Sequence, residues 1–200
     1  MRTLTYIPIV HSAADMGSEA ERIRDAYVER HGKEAWEESR EAIASAWEQI
    51  EKDILGLDLD FRKVRLYQDG LPVCGREQEI VREIARRGSP NYRLLLDLIA
   101  KGATLEGTED PQLLLEEYRV LKTTAAALGQ AEEREAAIRD YEEESRRLLE
   151  QRDRFIGRRI AETLKEGETG LLFIGALHRV DQTLPKDIAV RPLAEHLARG

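Results

Sequence analysis

The sequence has little of several features that would restrict its chemistry. Among its 200 residues Cys74 is the only cysteine, which excludes an internal disulfide and a zinc cluster built from cysteines. No apolar run approaches the ~20 residues that a bilayer-spanning helix needs. The first residues lack a basic segment followed by an apolar core, so we expect no signal peptide. These absences favour a cytoplasmic protein without a membrane partner.

Long basic tracts are missing as well. The chain has 31 Lys and Arg against 39 Asp and Glu, and its formal net charge is −8 at pH 7. A nucleic-acid backbone requires a basic surface, so we expect no nucleic-acid partner. The high charged content, 35%, indicates long solvated helices. The length favours a single domain over residues 1–200.

The most informative segment that is present is residues 171–178, with the sequence LLFIGALH. An apolar run of this length is typical of a strand that is buried on both faces. It ends in Gly175 and His178, where such a strand would leave the sheet. A second apolar run, residues 4–10, is followed by His11. Two histidines at strand ends suggest one shared site, because ligands of open α/β sheets bind at the carboxyl ends of strands.

Strand patterns alternate with helical patterns along the chain. We predict strands at 3–10, 62–69, 103–106, 171–176 and 188–190, and helices at 18–55 with a possible break at Gly32, 76–87, 90–102, 111–128, 130–166 and 192–198. This alternation predicts an α/β fold with a largely parallel central sheet of about four to five strands, flanked by long helices. The long helical segment at 111–166 has a charge-dense part, which is either a solvated face or a hairpin used for homodimerisation.

A polar or ionisable residue follows each predicted inner strand, namely His11, Asp69, Glu106 and His178. If the strands are parallel, these residues meet at one edge of the sheet. Histidine and carboxylate groups there could bind a divalent metal ion or divide general acid and base roles. Each residue alone could equally be an ordinary loop residue. Asp15 is close enough to His11 to orient it or to share a metal, unless it only caps the loop.

Arg152 lies on the apolar stripe of the long helical segment, where a hydrophobic residue is expected. The helix runs on for roughly 21 Å beyond it, and the following strand returns roughly 16–20 Å. Arg152 is therefore predicted to lie at the level of His178. A buried arginine needs a partner, for which Glu106, Asp69 or a bound anion would serve. Alternatively, the aliphatic part of the Arg152 side chain packs in the core and its guanidinium group reaches water.

Four segments of the chain resemble motifs of the TraB/Tiki group, which is related to ChaN-like and erythromycin-esterase-like proteins. They are Ile9-Val10-His11, Leu105-Glu106-Gly107, QRDRFI at 151–156 and FIGALH at 173–178. The first lacks the group's usual preceding glycine, and the third has Asp153 in place of asparagine. The resemblance implies an α/β fold with its site at one end of the sheet. It further implies metal-dependent peptide hydrolysis, histidine-assisted ester hydrolysis, or a regulatory or ligand-binding role.

The leading hypothesis is a hydrolase with one site at the strand ends. The predicted catalytic residues are Glu106, Arg152 and His178, the predicted metal ligands are His11, His178 and Glu106, and the predicted ligand-binding residues are Asp69 and Asp15. A divalent metal ion of unspecified identity would activate water, with Asp69 as a further possible ligand, or Glu106 would instead be the general base. Arg152 would stabilise negative charge that develops on a carbonyl or phosphoryl oxygen.

Two other classes of protein also fit the sequence. A non-catalytic binding or regulatory protein could use the same pocket for a small anionic molecule or a peptide, recognised by Arg152 and the histidines. An interaction protein could dimerise through its long charged helices, and the strand-end residues would then be structural. Peptide, ester and phosphate substrates all remain open for the hydrolase.

Overall fold

The computed structural model describes residues 1–12, 15, 20–127 and 134–194. Within these ranges the strands are β1 (Arg2–Ile9), β2 (Val64–Gln68), β3 (Thr104–Glu106), β4 (Thr169–Gly175) and β5 (Ile188–Pro192). The helices in the same ranges are α1 (Ala20–His31), α2 (Lys33–Leu55), α3 (Glu77–Arg86), α4 (Pro90–Ala100), α5 (Pro111–Ala127) and α6 (Arg134–Thr163). All neighbouring strands pair in parallel, in the order β3-β2-β4-β1-β5. The predicted α/β fold with a parallel sheet is confirmed.

Several element boundaries differ from the prediction. The helix predicted for 18–55 consists of α1 and α2, separated at Gly32, whose φ of 90° interrupts the helix. The strand predicted for 62–69 is shorter, because Phe61–Lys63 form a 3-10 turn before it. The predicted helix break near residues 128–133 and most of the predicted terminal helix, 195–198, lie outside the described residues.

β4 is the central strand of the sheet and explains the uninterrupted apolar run in the sequence. It pairs with β1 on one side and with β2 on the other. Leu171 and Phe173 enter the core on one face of the sheet, whereas Leu172 and Ile174 enter the core on the other face. Both faces of β4 are therefore covered, as expected for a strand without alternating polar residues.

Helices cover both faces of the sheet. The first core includes Trp47 from α2, Val81 from α3 and Leu95 from α4. The second core includes Ile156 and Ile160 from α6. Burying a side chain of this size contributes about 1.5–3 kcal/mol, so each face is held by its own apolar contacts. The arrangement is a three-layer α/β architecture.

The connections that leave β2 and β4 run in opposite directions across the sheet, which we call the reversal of the strand order. From β2 the chain passes through α3 and α4 to β3 at one edge, whereas from β4 it passes to β5 at the other edge. Ligands of open parallel sheets bind outside the carboxyl ends of the strands at such a reversal. The ends of β2 and β4 are therefore the expected position of a site.

The helical segment predicted for residues 111–166 contains α5 and α6, which pack against each other. Asp110 begins α5, since its Oδ1 accepts a hydrogen bond from Gln112 N at 2.8 Å. Among the described residues, none of the helices combines the length and apolar character needed to cross a bilayer.

Candidate functional site

Arg152 is buried at the carboxyl edge of the sheet and binds three carboxylates. Its Nε donates to Glu109 Oε2 at 3.2 Å, and its Nη2 donates to Glu109 Oε1 at 2.7 Å and to Asp69 Oδ1 at 2.8 Å. Nη1 donates to both oxygens of Glu117 at 2.8 and 2.9 Å. All three nitrogens of the guanidinium thus donate to carboxylates. Arg152 therefore holds protein carboxylates on every side of its guanidinium that these residues reach.

Asp69 is positioned by the ends of the two neighbouring strands. Its backbone N–H donates to Phe173 O at 2.9 Å and extends the ladder between β2 and β4. Its Oδ2 accepts a hydrogen bond from Gly175 N at 3.0 Å. A Cβ atom at Gly175 would lie 3.0 Å from this oxygen, so glycine there allows the close approach. The carboxylate is thereby fixed at the reversal of the strand order.

Glu109 reaches the site from the loop after β3. The backbone N–H groups of Thr108 and Glu109 both donate to Leu71 O, at 2.9 and 3.0 Å. Val73 N in turn donates to Glu109 O at 2.9 Å. These bonds join the loop after β3 to the loop after β2. They hold the Glu109 side chain, which is fully buried, against Arg152.

His178 lies between two carboxylates. Its Nδ1 is 2.5 Å from Asp153 Oδ1, and its Nε2 is 3.5 Å from Asp69 Oδ2. The second oxygen of Asp153 accepts a hydrogen bond from Arg179 N at 2.8 Å. The backbone N–H of His178 donates to Gly175 O at 3.2 Å and closes the turn after β4. The imidazole is therefore held with Nε2 toward Asp69.

Negative charge exceeds positive charge in this cluster. Its charged groups besides the histidine are Asp69, Glu109, Glu117, Asp153 and Arg152. Burial lowers the pKa of His178, but its hydrogen bonds to Asp153 and Asp69 outweigh burial and raise that pKa to about 9. Burial raises the pKa of Glu109 in spite of its bonds to Arg152. The pKa of Asp69 stays below its usual range, because His178 and Arg152 overcome the effect of burial. The cluster therefore favours cations.

Asp69, Glu109 and His178 supply a donor set that suits a divalent metal ion. One ligand atom of each lies within 4.8 Å of the others. Two carboxylates and one imidazole are typical ligands of zinc and of first-row transition metals. In metal-binding histidines, the ring nitrogen that does not bind the metal usually donates a hydrogen bond to a neighbouring group. Asp153 is positioned to accept this bond from His178 Nδ1. By the chemistry of its donors, the cluster fits such an ion.

Glu106 lies apart from this cluster. Its carboxylate forms an ion pair with Arg65 and lies 3.5 Å from Arg159 Nη2. Arg65 also binds Glu168, so these residues form a second ion-pair group over the sheet. Arg159 is two helical turns from Arg152 along α6, or roughly 10 Å at the helical rise. The structure thus brings Asp69, Arg152 and His178 together and leaves Glu106 outside.

His11 and Asp15 lie in the loop after β1. His11 is exposed, and Asp15 is half-buried. Asp15 Oδ2 accepts hydrogen bonds from Ser12 N at 2.6 Å and from Ser12 Oγ at 2.9 Å. Within the described residues, neither side chain forms an ion pair with the Arg152 cluster. Asp15 therefore binds the neighbouring Ser12, and His11 is not a member of the group formed by Asp69, Glu109 and His178.

Three members of the cluster were missed as site residues. Asp153 stands in place of the asparagine of the resembled motif, and its position next to Arg152 puts it at the same end of α6. Glu109 lies in a loop, three positions beyond the strand-end glutamate that the sequence suggested. Glu117 lies on α5 among other charged residues, and nothing in its local pattern separates it from them.

Comparisons with known proteins find no family model, no curated protein and no solved structure that matches the chain significantly. The resemblance to the TraB/Tiki group therefore stays a prediction. The geometry and charge of the cluster are therefore what indicates a function.

Proposed function

We propose that the protein is a metal-dependent hydrolase with its site at the carboxyl ends of β2 and β4. The supporting observation is the buried group of Asp69, Glu109 and His178 at the reversal of the strand order. When His178 is neutral, the carboxylates of the cluster outnumber the single guanidinium of Arg152 by three. Because buried negative charge is costly unless it is paired, a divalent ion compensates this excess better than one proton does.

The residues have separate roles in this proposal. Asp69, Glu109 and His178 would hold the ion, which when bound would activate a water molecule or polarise a carbonyl oxygen. Asp153 accepts the Nδ1 proton of His178, so the lone pair on Nε2 is directed toward the other ligands. Arg152 holds Asp69 and Glu109 at a fixed separation. Since all three of its nitrogens bind protein carboxylates, Arg152 is a positioning residue in this proposal.

The resemblance to the TraB/Tiki group supports the same proposal. The segment that matches most closely, FIGALH, contains His178, and QRDRFI contains Arg152 and Asp153. His178 contacts Asp153 directly, and both His178 and Arg152 contact Asp69. In this interpretation Glu109, rather than Glu106, is the glutamate of the site.

A non-catalytic binding or regulatory role is the second candidate, and burial favours it. Asp69, Glu109, Arg152 and His178 are each at most 7% exposed. A small molecule or peptide would then bind without being hydrolysed, and the cluster would stabilise the fold around it.

Metal binding and turnover test the proposal together. The purified protein would be titrated with Mn²⁺ and Zn²⁺ and assayed on peptide, ester and phosphate-ester substrates. We expect His178→Ala and Glu109→Gln to weaken metal binding at least tenfold and to abolish turnover. His31→Ala removes an exposed ring on α1 and is the matched control. Metal binding without turnover would favour the binding role, and equal metal binding in wild type and His178→Ala would exclude the site.

A further inference from the structure

Glu117 is the member of the Arg152 cluster that reaches solvent. Its side chain is 34% exposed, whereas Asp69 and Glu109, the other carboxylates on Arg152, are buried. The two oxygens of Glu117 lie 2.8 and 2.9 Å from a single nitrogen, Arg152 Nη1. The Nη1 side of the guanidinium is therefore covered by a carboxylate that is itself in contact with water.

The guanidinium of Arg152 is also held by bonds that do not involve Glu117. Nε and Nη2 donate to Glu109 at 3.2 and 2.7 Å, and Nη2 donates to Asp69 at 2.8 Å. If the Glu117 side chain turns outward, these bonds keep Nη1 in position, and its two N–H groups face the side that Glu117 has left. A donor that is already fixed loses little conformational freedom when a ligand binds to it.

α5 has other contacts with α6 besides the pair of Glu117 and Arg152. The neighbouring Glu116 pairs with Arg147 of α6 at 2.7 Å, and the two helices pack along their length. An ion pair with a partly exposed member contributes little to stability, because water competes for the exposed group. Rotation of the Glu117 side chain is therefore enough to expose Arg152 Nη1, and α5 stays in place through its other contacts.

Apolar side chains flank Glu117 on the surface of α5. Leu114 and Leu121 lie three residues before it and four residues after it, a spacing that makes them its neighbours on the helix surface. Tyr118 is the next residue along the chain. Tyr118 and Leu121 are 49% and 46% exposed, so much of their apolar surface is left in water. Leu114, Tyr118 and Leu121, which we call the apolar strip of α5, thus border the position where Glu117 meets Arg152.

We propose that Arg152 Nη1 binds the carboxylate of an external monocarboxylic acid with an apolar body, which enters by displacing Glu117. The inference rests on the proposed function, since it names a chemical group of the substrate of that same site. The oxygens of the ligand take the positions of the Glu117 oxygens, and its apolar body packs on the apolar strip of α5. Because Arg152 also binds Asp69 and Glu109, the carboxylate is anchored next to two of the proposed metal ligands.

The charge of the cluster favours a carboxylate over a phosphate group. Its carboxylates outnumber the Arg152 guanidinium, so the cluster repels any additional anion. Exchange of Glu117 for one external carboxylate leaves the net charge at Arg152 unchanged. A phosphate monoester carries about −1.5 to −2 at pH 7 and would increase the negative charge. A flat group with two oxygens also reproduces the contacts that Glu117 makes with Nη1.

Three probes that share a benzene ring test the site: benzoate, the neutral benzamide and phenyl phosphate. Each would be titrated calorimetrically into the full chain, with and without Mn²⁺, for wild type, Glu117→Ala and Glu116→Ala. Because Glu117 competes with the ligand, we expect Glu117→Ala to strengthen benzoate binding at least tenfold and to leave benzamide binding unchanged. Glu116→Ala removes the neighbouring carboxylate, which pairs with Arg147, and should bind benzoate like wild type.

The apolar body of the ligand has its own comparison. In Glu117→Ala, benzoate should bind more tightly than acetate, which has the same carboxylate without a ring. Leu121→Ser shortens the apolar strip of α5 and should reduce this difference. Leu55→Ser changes an exposed leucine on α2 and is the control. Equal affinities for acetate and benzoate would overturn the assignment of an apolar body.

The outcomes separate the carboxylate site from the proposed function. Loss of one negative charge by itself would strengthen phenyl phosphate binding more than benzoate binding, because phosphate carries the larger charge. Such a result, or equal benzoate affinity in wild type and Glu117→Ala, would overturn the site even if metal binding and turnover are found. A gain that is larger for benzoate, without metal binding or turnover, would support the site and remove the hydrolase proposal. If Glu117→Ala does not fold, Glu117→Gln removes the charge with a side chain of the same size and gives the same comparison.

Discussion

Asp153 Oδ1 lies 2.5 Å from His178 Nδ1, and both side chains are buried. The other oxygen of Asp153 accepts a hydrogen bond from the backbone N–H of Arg179 at 2.8 Å. Because a backbone amide can only donate, the side chain at position 153 has to accept at this oxygen. The geometry therefore favours a carboxylate there, and in the neutral ring that metal binding requires it would keep the proton on Nδ1 and the lone pair on Nε2.

Asp153→Asn should reverse the ring tautomer. An asparagine can accept from Arg179 N only by turning its NH₂ group toward His178 Nδ1, which moves the ring proton to Nε2. We expect the affinity for Mn²⁺ or Zn²⁺ to fall about 10–100-fold and the neutral ring to change tautomer in ¹⁵N NMR spectra. Asp181→Asn changes an exposed carboxylate on the neighbouring turn and is the control. Unchanged metal affinity in Asp153→Asn would contradict the assigned role.

Arg152→Met should destabilise the protein strongly. The substitution leaves the carboxylates of Asp69 and Glu109 buried without their partner, a change that typically costs about 3–5 kcal/mol. Urea unfolding would measure the loss. Arg147→Met removes an arginine that is paired on the surface of α6, and we expect a much smaller change there. Adding Glu109→Gln to Arg152→Met should recover part of the stability, because it removes one unpaired charge.

The stability of the metal-free protein should fall as the pH rises through the range from about 6.5 to about 9. The folded state raises the pKa of His178 to about 9, so it binds this proton more tightly than the unfolded chain does. The stabilisation is complete below pH ~6.5 and is lost above pH ~9, with a size on the order of 3 kcal/mol. The measurement is the free energy of unfolding against pH for wild type and His178→Gln. Parallel curves for the two proteins would show that His178 is not the group responsible.

Gly157→Ala should destabilise the contact between α6 and the 3-10 turn Val180–Thr183. A Cβ at this position would lie 2.1 Å from Thr183 Oγ1 and 3.0 Å from Thr183 Cβ. Overpacking of this kind costs about 1–3 kcal/mol, which exceeds the gain of up to about 1 kcal/mol from replacing a helical glycine by alanine. Thermal unfolding would show a lower Tm. In the double variant, Thr183→Ala should restore part of the lost Tm. If the effects of the two substitutions on the Tm are additive, residues 157 and 183 do not interact as described.

Much of the fold could be predicted from local pattern. The run at 171–176 is apolar at every position except Gly175, which is what a strand covered on both faces requires. The break at Gly32 and the start of α4 at Pro90 also follow from residue chemistry.

The site was only partly predictable, because its members depend on long-range contacts. The placement of Arg152 near His178 followed from comparing a helix length with a strand length, and both residues contact Asp69. Glu106 turns toward Arg65, a nearer partner on the adjacent strand. Glu109 enters the cluster because its loop is bonded to Leu71, a contact between distant parts of the sequence that no local pattern records.

The position of β4 has a consequence for the synthesis of the chain on the ribosome. β1 and β2 are both neighbours of β4 and do not pair with each other, yet β4 follows them by more than 100 residues in the sequence. Until β4 has emerged, the sheet lacks its middle, and the earlier strands present open edges of the kind that invite aggregation. Such long-range pairing is slow to form. We therefore expect the nascent chain to be most prone to aggregation before residues 169–175 have left the ribosome.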